Sequence, residues 1–99
     1  MAVQKEFDYV IVGGGSAGCV LAGRLAAESG GTVCLIERGR RDVNRWVHIP
    51  GTFFKALQGQ DADAVTSEPD TSLGGIPFMV PQGRVIGGGS SVNGMIYMR

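Results

Sequence analysis

Phe7-Asp-Tyr-Val-Ile-Val-Gly-Gly-Gly-Ser-Ala-Gly18 decides the fold. Its first half is a short β-rich run whose last three residues are apolar without a break. That pattern predicts a strand buried on both faces of a parallel sheet. Its second half holds Gly13, Gly15 and Gly18 in the spacing G-x-G-x-x-G. A glycine hexamer alone is a weak signal, and its context gives it meaning. From Ser16 to Glu28, Ala17, Val20, Leu21, Leu25 and Ala26 recur at helical spacing, with Arg24 and Glu28 at i, i+4. Ser29-Gly30-Gly31 stops this helix, a glycine taking the left-handed position after the cap. Thr32-Val-Cys-Leu-Ile36 predicts a second buried strand, closed by Glu37. Strand, helix and strand within about thirty residues make a βαβ unit.

The chemistry of this unit follows from its spacing. Gly13 permits the strand-to-helix turn, Gly15 lets a pyrophosphate approach the backbone, and Gly18 lets helix and strand pack closely. The first-turn amides from Ser16 and Ala17 onward, at the positive end of the helix dipole, suit phosphate charge. Glu37 stands nineteen residues beyond Gly18, where an acid accepts hydrogen bonds from an adenosine ribose and repels a 2′-phosphate. The motif fits either NAD or FAD, because both carry an ADP half.

Composition narrows the classes. Ninety-nine residues leave room for one small domain. Nine basic and nine acidic residues cancel, so no strong field points to nucleic acid or a membrane surface. Glycine, at 17 of 99 residues, is far above ordinary usage, and its clustering indicates tight turns. Residues 1–8 are mixed and charged and carry no apolar leader core, so the expected compartment is the cytoplasm. No run approaches the length of a membrane span. Cys19 and Cys34 lack metal spacing and read as small buried hydrophobes.

Residues 39–82 read as an excursion between two glycine motifs. Residues 39–42 are a polar turn, 46–49 are mixed, and Thr52–Leu57 predicts a short helix. Residues 58–64 read as surface loop, Val65–Glu68 as a short strand, and 73–81 as an irregular stretch with two prolines. His48, the chain's single histidine, is a candidate base by chemistry but lies away from both glycine motifs.

The second motif is Gly83-Arg-Val-Ile-Gly-Gly-Gly-Ser-Ser-Val-Asn93, with Tyr97 four positions on. Gly87-Gly-Gly-Ser-Ser91 lets backbone amides converge on an anion, with hydroxyls as added donors. No Gly-Lys-Ser/Thr follows, so it is not a Walker loop. This stretch resembles the first signature of the glucose–methanol–choline (GMC) family of FAD-dependent oxidoreductases. The glycine fingerprint, Trp46-Val-His-Ile-Pro-Gly51 and Ser67-Glu68-Pro69 also look like that family, so the resemblance covers essentially the whole chain. Where relatives often carry aromatic residues before the Glu-Pro element, this chain has Asp61-Ala-Asp-Ala64.

The resemblance implies a Rossmann-like α/β FAD-binding domain, here its N-terminal βαβ part with an incomplete sheet. Residues 1–38 are the dinucleotide unit, 39–82 the excursion and 83–99 a truncated signature, with the substrate domain absent. It implies cofactor contacts from Gly13, Gly15, Ser16, Ala17, Gly18, Glu37 and Arg38, and from Arg84, Val85, Gly87, Gly88 and Ser90. It also implies that Asn93, Gly94, Met95 and Ile96 lie beside the flavin. Some relatives link flavin covalently through a histidine just before the Asn position; Val92 here implies non-covalent FAD. The implied reaction moves a hydride from a small alcohol, choline-like among the options, to the flavin. The resemblance implies a catalytic histidine outside this chain, which then reads as an inactive fragment. Two alternatives are a non-catalytic nucleotide-binding or interaction module and an NAD-linked dehydrogenase, the latter opposed by the second motif. Two strands and one helix leave open sheet edges, so the piece alone is expected to be marginally stable. Neither the alcohol, the electron acceptor nor the oligomeric state is legible.

Overall fold

The computed structural model describes residues 6–99. Residues 1–5, part of the 1–8 stretch expected to carry no leader core, lie outside the described residues. Strand β1 (Tyr9–Val12), helix α1 (Ser16–Glu28) and strand β2 (Val33–Ile36) form the predicted βαβ unit. β1 and β2 pair in parallel, Tyr9 against Val33 through Val12 against Ile36. Gly13 extends the ladder by donating its N–H to Ile36 O at 2.8 Å. The strand starts are clamped by Asp8, whose carboxylate accepts from the Thr32 N–H (2.7 Å) and hydroxyl (2.8 Å). The helix runs over the predicted residues and ends as expected, with Gly30 at φ +68°.

The excursion contains more structure than the sequence suggested. Helix α2 (Arg45–His48) starts at Asn44, whose Oδ1 accepts from Trp46 N–H. A 3-10 turn (Pro50–Thr52) leads into α3 (Phe53–Leu57), the short helix expected there. Strands β3 (Ala62–Thr66) and β4 (Met79–Gly83) then form an antiparallel pair. This corrects three expectations. The 58–64 stretch is not all surface loop, because β3 begins at Ala62 and Asp61 is only 2 % exposed. The strand read at Val65–Glu68 is displaced toward the N-terminus. The two-proline stretch supplies β4, with Pro81 opposite Ala64. In the register set by the Arg84–Asp61 and Ser67–Phe78 bonds, Pro81 holds a non-hydrogen-bonded position, so its missing N–H falls on the open edge.

The buried core among the described residues is Val85, Ala56 and Val92, flanked by Trp46, Val47 and Leu57. It therefore joins the second glycine motif to the excursion. The βαβ faces are more open than expected: Ile11 is half-buried, whereas Val12 is 81 % exposed. Cys19 and Cys34 are likewise half-buried and not fully buried. One parallel bridge, Arg40 with Val85, ties the chain after β2 to the second motif. No helix among the described residues is long and apolar enough to cross a membrane.

Candidate functional site

The two glycine motifs meet at Gly14. Its carbonyl accepts from Gly87 N–H at 2.7 Å and from the Cys19 thiol at 3.2 Å. Its own N–H donates to Glu37 Oε2 at 2.6 Å. A Cβ on Gly14 would lie 3.2 Å from both Glu37 and Ile86, so the middle glycine of the triplet is the joint between motifs. Gly88 comes equally close: its Cβ would sit 2.8 Å from Gly15 Cα, and its φ is +56°. Behind the turn, a Cβ on Gly18 would lie 1.8 Å from Gly13 O, which is the predicted close helix–strand contact.

The outward side of this joint is open. A Cβ on Gly15 meets nothing within 4 Å. Gly15 caps α1 without a side-chain acceptor, leaving the first-turn amides at Ser16, Ala17 and Gly18 without a capping side chain. Next to them is a cavity of about 330 Å³ lined by Val12, Gly13, Gly15, Ile36, Glu37, Arg38, Gly83 and Gly88. It joins the end of both parallel strands, the helix N-terminus and the second motif.

Glu37 closes one side of that cavity. Its second oxygen, Oε1, accepts from Gly39 N–H at 2.7 Å. The Gly14 and Gly39 amides, with the Arg38 charge, hold its carboxyl below the ordinary glutamate range. A carboxylate oxygen has two lone pairs, so each Glu37 oxygen retains capacity for a ribose hydroxyl.

The other sequence-predicted residues divide by position. Arg38 and Arg84 both reach Asp63, at 2.9 and 3.3 Å. The Val85 side chain is wholly buried, so only its main chain is available to a ligand. Gly88 to Ser91 form a 3-10 turn, with Ser90 Oγ donating to Gly87 O at 2.6 Å and Ser91 Oγ to Ile86 O at 2.7 Å. Asn93 and Gly94 line a second cavity of about 530 Å³ with Leu57, Pro81, Gln82 and Gly83. Asn93 Oδ1 accepts from Met95 N–H at 3.1 Å, and Met95 takes φ +55°. Ile96 is exposed. His48 lines neither cavity; it is exposed, with Nε2 bonded to Asp42 O.

Sequence reasoning missed Gly14, Gly39 and Asp63. A Cβ on Gly39 would strike the Arg84 carbonyl carbon at 2.3 Å, so the chain after β2 needs a bare backbone to run beside the second motif. Gly14 had a signal, since a triplet holds one glycine more than the fingerprint uses. Asp63 had none, because it belongs to a strand without β-branched alternation.

An α/β nucleotide cradle built from two interlocked glycine motifs defines a class of dinucleotide-binding oxidoreductase domains. The family model described as GMC oxidoreductase matches residues 7–99, and the chain belongs to that family. It is 44 % identical over 103 residues to an alcohol oxidase from Candida boidinii, covering all of this chain and 16 % of the relative. Among solved structures it resembles a pyridoxine 4-oxidase from Mesorbium loti, with TM-score 0.86 and 34 % identity over 95 % of this chain and 18 % of that one. It also resembles a FAD-dependent oxidoreductase from Chaetomium thermophilum, with TM-score 0.79 and 33 % identity over 95 % of this chain and 16 % of that one. The chain thus spans less than a fifth of the length of these proteins.

Proposed function

We propose that this chain holds FAD for a flavin-dependent oxidoreductase that acts on a small alcohol. One observation carries the reading: the Gly13–Gly18 turn and the Gly87–Gly88 turn close on each other while the Gly15 face stays open to the 330 Å³ cavity. The residues present fit the cofactor. The α1 first-turn amides and the Gly87–Ser90 segment would hold the phosphates, and Glu37 would accept from the ribose hydroxyls. Asn93, Gly94, Met95 and Ile96, on the far side of the second motif, would stand toward the flavin ring. Val92 is 3 % exposed in the core and has no nucleophile, which supports a dissociable cofactor.

Bound FAD supplies a two-electron acceptor for the hydride of an alcohol carbon. The work of these residues is to bind and orient it and to fix its charge environment. Glu37, ionised across the neutral range, disfavours a 2′-phosphorylated nucleotide. His48 faces Asp42 away from both cavities, which supports a base for the hydroxyl proton supplied from outside these 99 residues.

The test is anaerobic titration of the full-length protein with a series of primary and secondary alcohols, choline included. Bleaching of the flavin absorbance by at least one alcohol is the expected result. A flavin-free protein, or one whose flavin no alcohol reduces, would contradict the reading.

A further inference from the structure

Asp63 stands between two arginines and belongs to neither glycine motif. Its Oδ2 lies 2.9 Å from Arg38 Nη2, and its Oδ1 lies 3.3 Å from Arg84 Nη1. The pairs join three separate segments: the residue after Glu37, the second residue of β3, and the residue after β4. Antiparallel pairing fixes the carboxylate, because Asp63 stands opposite Gln82 and the Arg84 N–H donates to Asp61 O at 2.6 Å. Asp61 is itself held, accepting from Asn44 Nδ2 at 2.5 Å.

Arg38 lines the same cavity as Gly15 and Glu37, yet its side chain is 69 % exposed. An unrestrained arginine there would sample many rotamers. With one end of its guanidinium fork tied to Asp63, the rest of the planar group is held at the cavity mouth. Such a plane stacks on a purine or donates to hydroxyl and phosphate oxygens.

We propose that Asp63 is a positioning residue for the cofactor: braced by Arg84, it aims Arg38 at the adenosine end of FAD. The inference rests on the FAD reading above and adds a residue to it. Charge alone predicts the opposite effect. A carboxylate near a diphosphate repels it, so removing that charge while keeping the shape would tighten FAD if Asp63 had no positioning role.

The sign therefore decides. FAD release from the full-length holoenzyme on dilution is followed by flavin fluorescence in wild type, D63N, D63E, R38Q and D63N/R38Q. D63N is expected to release FAD roughly threefold to fivefold faster, the upper part of the range for a partly exposed charge pair. D63E is expected to stay within about twofold of wild type, and D63N to add nothing once Arg38 is gone. Unchanged or slower release in D63N overturns the proposal. So does an additive double variant, because Asp63 would then not act through Arg38. If D63N does not fold, unaltered release in R38Q overturns it alone. A wild-type protein that carries no FAD would remove the proposed function itself, and this inference with it.

Discussion

Gly18 and Gly23 lie on the same helix and predict opposite outcomes. A methyl on Gly18 would collide with Gly13 O at 1.8 Å, and that oxygen is backbone in a constrained turn. Gly18→Ala should destabilise the full-length protein by about 1–3 kcal/mol and weaken FAD binding. A methyl on Gly23 meets nothing within 4 Å, so Gly23→Ala should stabilise by about 0.5–1 kcal/mol through helix entropy alone. Thermal midpoints of the two variants check the pair. Glu37 carries the pH dependence. Its folded pKa is lowered, so its contribution is complete above the ordinary glutamate range and is lost as pH falls through the lower folded value. FAD affinity should therefore be flat with respect to Glu37 from neutral pH down to the ordinary carboxylate range and fall below it. Glu37→Gln should weaken FAD about tenfold and remove that part of the acid dependence, measured by flavin fluorescence titration. These residues were legible because each fingerprint position has one physical demand. Gly14, by contrast, answers to a contact with Gly87 more than seventy residues away, which no local spacing encodes.

At the scale of elements, β1, α1 and β2 follow from periodicity, and β3 and β4 do not. The βαβ unit has apolar runs, a helical stripe and glycine stops in the order its hydrogen bonds require. The second pair is Ala-Asp-Ala-Val-Thr against Met-Val-Pro-Gln-Gly, whose small, acidic and proline residues carry little strand preference. Long-range pairing makes that strand: the Arg84 N–H to Asp61 O bond, the Arg38–Asp63–Arg84 ion pairs, and Ser67, whose N–H donates to Phe78 O at 2.8 Å. Asp61 anchors the start of the hairpin, and it is buried with Asn44 Nδ2 as partner. Asp61→Ala leaves that amide without an acceptor and should cost about 1–3 kcal/mol of stability. Denaturant midpoints of the full-length variant and wild type measure it. Asn44→Ala alone should cost a similar amount, and the double variant less than the sum, because the two share one bond.

The whole molecule is open. Its radius of gyration is 17.1 Å, against about 13 Å for a compact domain of 100 residues. Three apolar side chains are fully enclosed among the described residues, whereas Val10, Val12, Val20, Leu21 and Ile36 of the βαβ unit remain exposed. This overturns the expectation of strands buried on both faces: two strands and one helix cannot cover both faces of a parallel sheet. A 99-residue piece made alone should therefore show no cooperative thermal transition without FAD. What the open molecule does organise is the cradle, where two motifs far apart in sequence share Gly14. That this cradle holds a dissociable FAD is the central claim, and the flavin recovered from purified full-length protein tests it most directly. Acid precipitation should leave FAD in the supernatant at about one per chain, with the pellet colourless. A protein that yields no FAD, or a pellet that keeps the colour, would contradict it.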